Sequence, residues 1–152
     1  MTVGDIKSIT YTQKKASKKS GVTVTVGKWG VFNTDTPAVI IEATSGETKP
    51  CFPILPKNIT GEAKGQSPPS MLTYGNNDLE VSILEKGIVS MLTTNAVTYE
   101  KGNRVKIGAS GLPVLYVEGT DTDFRLIKGV VRRARVVGDG VNTVDIEVGV
   151  LN

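Results

Sequence analysis

The segment QKKASKKSG (residues 13–21) holds Lys14, Lys15, Lys18 and Lys19 with no acidic residue among them. Ammonium groups so clustered can neutralise phosphates or meet an acidic protein surface. The plain alternative is a solvated extension, which is what most charge runs are. A second basic group, Arg132, Arg133 and Arg135 beside Lys128, suits bidentate contacts to carboxylate or phosphate. In a strand Arg133 and Arg135 share one face while Arg132 takes the other, so the group is not a single stripe. Cross-strand pairing with Asp145 and Glu147 is the ordinary expectation. Glu118, Asp121 and Asp123 in VEGTDTDF are spaced like oxygen ligands, but a calcium loop supplies more of them. The stretch reads instead as a turn whose Asp and Thr side chains bond their own backbone, with no metal.

The chain has no histidine and one cysteine, Cys51. Neither a Ser-His-Asp nor a Cys-His relay can be built, and a disulfide framework or Cys-based zinc site is excluded. GKWG (residues 27–30) lacks the spacing of a phosphate loop. Aromatic residues are 5% of the chain, too few for a base-stacking platform. Trp29 is expected as a core or interface anchor, and Cys51 as a small buried hydrophobe. No catalytic residue, cofactor or small-molecule substrate is expected. The net charge of +3 is a mild excess, so its placement matters more than its size.

These residues need a scaffold, and period-two alternation supplies it. GVTVTVGKWGVF (residues 21–32) puts Val22, Val24 and Val26 on one face of a strand. AVIIEAT and TKPCFPIL flank SGE (residues 45–47), which reads as a hairpin, with Pro50 and Pro53 confining the second run to an edge. Residues 56–78 shift to Gly, Pro, Ser and Asn and form the longest loop; loops of that length are usually functional or disordered. Strands then recur with Gly, Asn or Asp between them, the spacing of a sandwich or barrel. In NAVTYEKGNRVKIGASG (residues 95–111), a turn at residues 100–103 precedes a strand with Val105 and Ile107 inward and Arg104 and Lys106 outward. GDGVN (residues 138–142) reads as another hairpin, and at most one short helix is expected. No stretch approaches a membrane span, and the first residues lack the apolar run of a secretory signal, so synthesis in a cytoplasm is expected.

Four stretches carry a resemblance: SGVTVTVGKWGVF, LEKGIVSML, NAVTYEKGNRVKI and IKGVVRRARVVGDGVNTVDIEVGVLN. Together they resemble the head decoration, or structural cement, proteins of tailed bacteriophages. The resemblance implies a non-enzymatic virion protein on the capsid exterior that stabilises the shell. Its implied partners are the major capsid protein and neighbouring copies of itself, with no membrane and no nucleic acid. The expected fold is all-β, a small barrel or sandwich of the β-tulip or SH3-like type. Residues 1–20 form an extended arm in this reading, and residues 21–152 one domain with the loop inserted at about residues 56–78. Lys14, Lys15, Lys18 and Lys19 of the arm, and Met71, Leu72 and Tyr74 of the loop as apolar anchors, are the expected partner-binding residues. Alternatives are a tail-tube or head-completion subunit, or an oligonucleotide-binding-type barrel using the basic arm.

Overall fold

The structure, a computed structural model, describes residues 3–8, 10–56, 73–93, 97–136 and 142–149 and is all-β. Its strands are β1 (Thr12–Ser17), β2 (Val24–Thr25), β3 (Trp29–Phe32), β4 (Ile40–Glu42), β5 (Cys51–Pro53), β6 (Thr73–Tyr74), β7 (Glu80–Leu92), β8 (Arg104–Ile107), β9 (Pro113–Leu115), β10 (Gly129–Arg133) and β11 (Thr143–Val148). Short 3-10 turns at Ala109–Gly111 and Phe124–Leu126 are the helical elements among the described residues.

Six strands form one antiparallel sheet in the order β1-β7-β11-β10-β8-β9, three form another in the order β4-β3-β5, and β2 pairs with β6. Two bridges join the larger sheets: Ile54 just past β5 meets Ile83 of β7, and Lys18 just past β1 meets Ile40 of β4. Strands β7, β1, β4, β3 and β5 therefore follow one another in a closed hydrogen-bonded circuit, as in a small barrel. Ala16, Val24, Val26, Ile40, Ile54, Tyr74, Val81 and Ile83 make up the core associated with it. On its other face the three-stranded sheet contributes Trp29, Val31 and Cys51 to a second, larger core. There they pack with Leu84, Val89, Met91, Val105, Ile107, Val131, Val144, Ile146 and Val148. Strict alternation within β3 serves both cores. Trp29 and Val31 point one way, while a Cβ on Gly30 would lie 3.2 Å from Ile40 and 3.3 Å from Ile54.

β7 serves the larger core on both sides of Glu85 because its alternation is reset once. Thr12 pairs with Lys86 but Gln13 pairs with Leu84, so β7 spends an extra residue, Glu85, on one step of β1. Such a bulge moves later side chains to the opposite face. Leu84 and Val89, an odd number of residues apart, consequently share the larger core. Gly87 follows with φ +139°, and a Cβ there would sit 2.8 Å from Tyr11 Cβ and 2.9 Å from Ser8 Oγ.

Two expectations are corrected. SGE does form a turn, with Gly46 at φ +81°, but β4 and β5 are not a hairpin, because β3 lies between them and pairs with both. The presumed arm is part of the sheet: β1 pairs with β7 along its length. Ahead of it, Gly4 N donates to Ser90 O at 2.7 Å and Lys7 N to Ile88 O at 2.7 Å. Only Ala16 of β1 is buried, so the strand shows no apolar alternation in the sequence. The turn at residues 100–103 is as expected: Asn103 N donates to Glu100 O at 3.0 Å, Gly102 has φ +95°, and Val105 and Ile107 are buried.

Gly87→Ala is expected to lower the free energy of unfolding by about 3 kcal/mol, combining positive-φ strain with overpacking against residues 8 and 11. Urea denaturation checks this; an unchanged midpoint would show that the reset in β7 tolerates a side chain.

Candidate interaction surface

The four lysines of the basic segment do not form one patch. Lys14 and Lys15 are exposed on β1 and make no ion pair with a described residue. Lys18 is 3% exposed; its ammonium donates to Lys19 O at 2.6 Å and to Val22 O, pinning the turn after β1. Its stem is buried while its head serves the backbone, so it is withdrawn from any partner. Lys19 faces Asp35 at 3.2 Å.

Tyr74, expected as a surface anchor, is buried. Its hydroxyl donates to Leu55 O at 2.8 Å and accepts from Ser82 N at 3.2 Å. The phenol thus fastens β6 to the junction of β5 and β7, which removes it from the candidate anchors. Met71 and Leu72 lie outside the described residues. The arginines pair as expected across β10 and β11: Arg132 with Glu147, and Arg133 Nε with Asp145 Oδ2 at 3.1 Å. Arg135 is buried and donates to Val97 O at 2.7 Å. None of the three offers an open anion site.

The segment after β9, read in the sequence only as a turn, is the most built surface feature. Asp121 organises it. One carboxylate oxygen accepts from Val117 N at 2.7 Å, and the other from Lys106 Nζ at 2.6 Å. Tyr116 OH donates to Asp121 O at 3.0 Å, and Asp121 N to Val117 O at 2.7 Å. Asp123 then caps the 3-10 turn through Arg125 N at 3.0 Å. It also takes the Arg125 guanidinium in a fork, Nε to Oδ1 at 3.0 Å and Nη2 to Oδ2 at 2.7 Å. Short polar side chains closing on their own backbone hold such a loop in one shape. On it stand Phe124, 72% exposed, and Val117, 50% exposed. Large apolar side chains held rigidly in water are what binding surfaces use.

The turn separates two open clefts. Phe124 borders one of about 430 Å³ with Arg104, Tyr116 and Asp121. Arg125 borders the other, of about 340 Å³, with Phe52, Glu85, Ile127 and Lys128. Lys106 and the Val117 N–H hold the Asp121 carboxyl below its usual range, and Arg125 does the same for Asp123. Burial lowers the Lys128 ammonium, which donates to Lys49 O at 2.6 Å and Arg125 O at 2.7 Å. Burial pushes the Cys51 thiol up to about 12, so it is a poor nucleophile at neutral pH. Among the described residues no group of His, Cys, Asp or Glu is placed to hold a metal. The arrangement suits contact with a macromolecule.

No protein-family model matches the chain, and no curated protein matches it either. Among solved structures, the chain is similar to the head fiber gp8.5 N base of bacteriophage phi29. The TM-score is 0.57 at 11% identity, over 90% of this chain and 94% of that one. At that identity the likeness is one of fold.

Tyr74→Phe is expected to cost about 2 kcal/mol, since it strands a buried carbonyl and a buried N–H. Burial holds the Tyr74 hydroxyl above its ordinary value of 10.0, against the hydrogen bond from Ser82. The unfolded chain therefore ionises first: this contribution is intact below pH 10 and falls as pH rises through the native value. Chemical denaturation between pH 8 and 11 should show that decline reduced in Tyr74→Phe. For the loop, Asp121→Asn should speed amide exchange at Val117 by roughly tenfold, as a charge-assisted acceptor becomes a neutral one. Hydrogen-exchange mass spectrometry reads this, and unchanged protection would separate Asp121 from the loop's order.

Proposed function

We propose that the chain is a non-enzymatic structural protein of a tailed-phage virion, seated on the exterior of the capsid shell and stabilising it. The observation that carries the reading is the shared fold with a phage head fiber base, extending over nearly the whole of both chains. It agrees with the resemblance of the strand-and-turn pattern to head decoration proteins. The lack of any histidine and the rigid Phe124–Arg125 turn also favour contact over turnover. Each copy would bury a modest area against the major capsid protein and its neighbours. On a lattice such contacts sum, because every bound copy is held near further sites. Phe124 and Arg125 are the residues placed to anchor a shell contact; Lys14 and Lys15 remain from the basic segment. Deleting residues 1–20 would not test the lysines, because it removes β1 from the sheet.

The test is co-sedimentation of the purified chain with shells assembled without it. Saturable binding and a raised temperature of shell disruption are expected. The double variant Phe124→Ser/Arg125→Ser should bind at least about tenfold more weakly, the loss typical of a central apolar and arginine anchor, with its own unfolding temperature unchanged. Absence from the pelleted shells would overturn the proposal, as would retention on single-stranded DNA at low salt without retention on shells.

A further inference from the structure

We infer that the outer edge of β1 is a strand-addition site for an extended acidic segment of a partner protein. The backbone directions follow from β7. Ser82 O accepts from Leu55 N at 2.9 Å, and Ser82 N donates to Tyr74 OH at 3.2 Å, so both backbone groups of Ser82 point away from β1. Directions alternate along a strand. Val81 and Ile83 therefore face β1, and their partners Ala16 and Lys14 face back. That leaves the N–H and C=O groups of Gln13, Lys15 and Ser17 directed outward. The next residues keep the alternation: Lys18 N donates inward to Leu79 O at 2.8 Å, and Lys19 N outward to Ile40 O at 3.3 Å. The Lys18–Ile40 bridge is parallel, so Ile40 bonds Ser17 O as well as Lys19 N, and β4 takes up the edge from Ser17 onward. Among the described residues, no bridge meets the outward groups of Gln13 and Lys15.

Such a row of backbone donors and acceptors is a template for another strand. Charge selects which strand. Lys14 and Lys15 are exposed without an ion pair among the described residues, and Lys86, opposite Thr12, is exposed as well. The carboxylates nearby are Glu80, opposite Ser17, and the half-buried Glu85. A second copy adding its own β1 would set lysines against lysines, which is unfavourable. A segment carrying Glu or Asp at alternate positions would meet ammonium groups while making the same backbone bonds. This inference goes beyond the capsid reading and does not depend on it.

The experiment uses the full chain, labelled with ¹⁵N, and a capped octapeptide alternating Glu with Val and Thr; a Lys-for-Glu peptide is the control. The Glu peptide should shift and protect the amides of Gln13 and Lys15, and the Lys peptide should not. Lys15→Pro removes an outward N–H without touching the β7 ladder and should abolish binding. If that variant does not fold, Lys14→Glu/Lys15→Glu carries the test and should weaken binding by about tenfold through reversed cross-strand charge pairs. Equal binding of both peptides, shifts confined to other strands, or concentration-dependent pairing of two copies through β1 would each overturn the proposal. Shell co-sedimentation reads separately, so either result can fail alone.

Discussion

One strand has to satisfy two cores, and most of this architecture is arranged around that demand. β7 contributes Val81 and Ile83 to the smaller core and Leu84, Val89 and Met91 to the larger. A strand without a fault could serve one core from each face, but could not place Leu84 and Val89, an odd number of residues apart, in the same core. The extra residue at Glu85 changes the phase, and Gly87 gives the bent chain room beside residues 8 and 11. Along one side of β7 run residues 4–8 and then β1; along the other run the end of β5 and then β11. The three-stranded sheet is the second shared element, buried on both faces. Bulk on its barrel face at position 30 is limited to a glycine, because Ile40 and Ile54 already occupy that space.

Legibility followed locality. The turn at residues 100–103 and the inward Val105 and Ile107 were readable because the signals sit within a few residues of one another. The ion pairs of Arg132 and Arg133 are readable because β10 and β11, consecutive in the chain, pair antiparallel; the turn expected at residues 138–142 lies, up to residue 141, outside the described residues. The arrangement of β4 and β5 is not legible for the opposite reason. A turn signal reports that the chain reverses, not which strand lies alongside, and β3 had taken the place between them. The basic segment does not announce itself as a strand, because a surface edge strand with Ala16 as its one buried residue carries no apolar period. Tyr74 beside a Gly/Pro-rich stretch looked exposed, yet its hydroxyl closes a buried junction. Phe124 could have been found: an aromatic directly after TDTD, a run that bonds its own backbone, is a side chain held where the core cannot reach it.

Charge on this surface is mostly spent locally. Lys106 with Asp121, Arg125 with Asp123, Arg104 with Glu118 and Lys28 with Glu42 lie within ion-pair distance. Pairs in contact with solvent are screened and add little to stability. Their larger effect is on shape, since the Asp121 and Asp123 pairs also fix the backbone beneath Phe124. Neutralised pairs exert little field at a distance, which argues against a surface that gathers polyanions over a long range. The lysines of β1 are the exception, and they sit where open backbone groups already limit what can bind.

The two candidate surfaces differ in the physics by which they would hold a partner. The loop carrying Phe124 follows β9, at the edge of the six-stranded sheet opposite β1. Its shape is set before binding by five short hydrogen bonds to Asp121 and Asp123, so an apolar contact there loses little conformational freedom. The β1 edge offers directional backbone bonds and must order an extended segment, an entropic cost that charge pairing and ladder bonds have to exceed. A rigid apolar anchor tolerates varied partners of suitable shape, while a strand edge demands register. Set at opposite margins of one sheet, they allow a subunit to be held from two sides at once, and the stiffness of that sheet fixes the distance between the contacts.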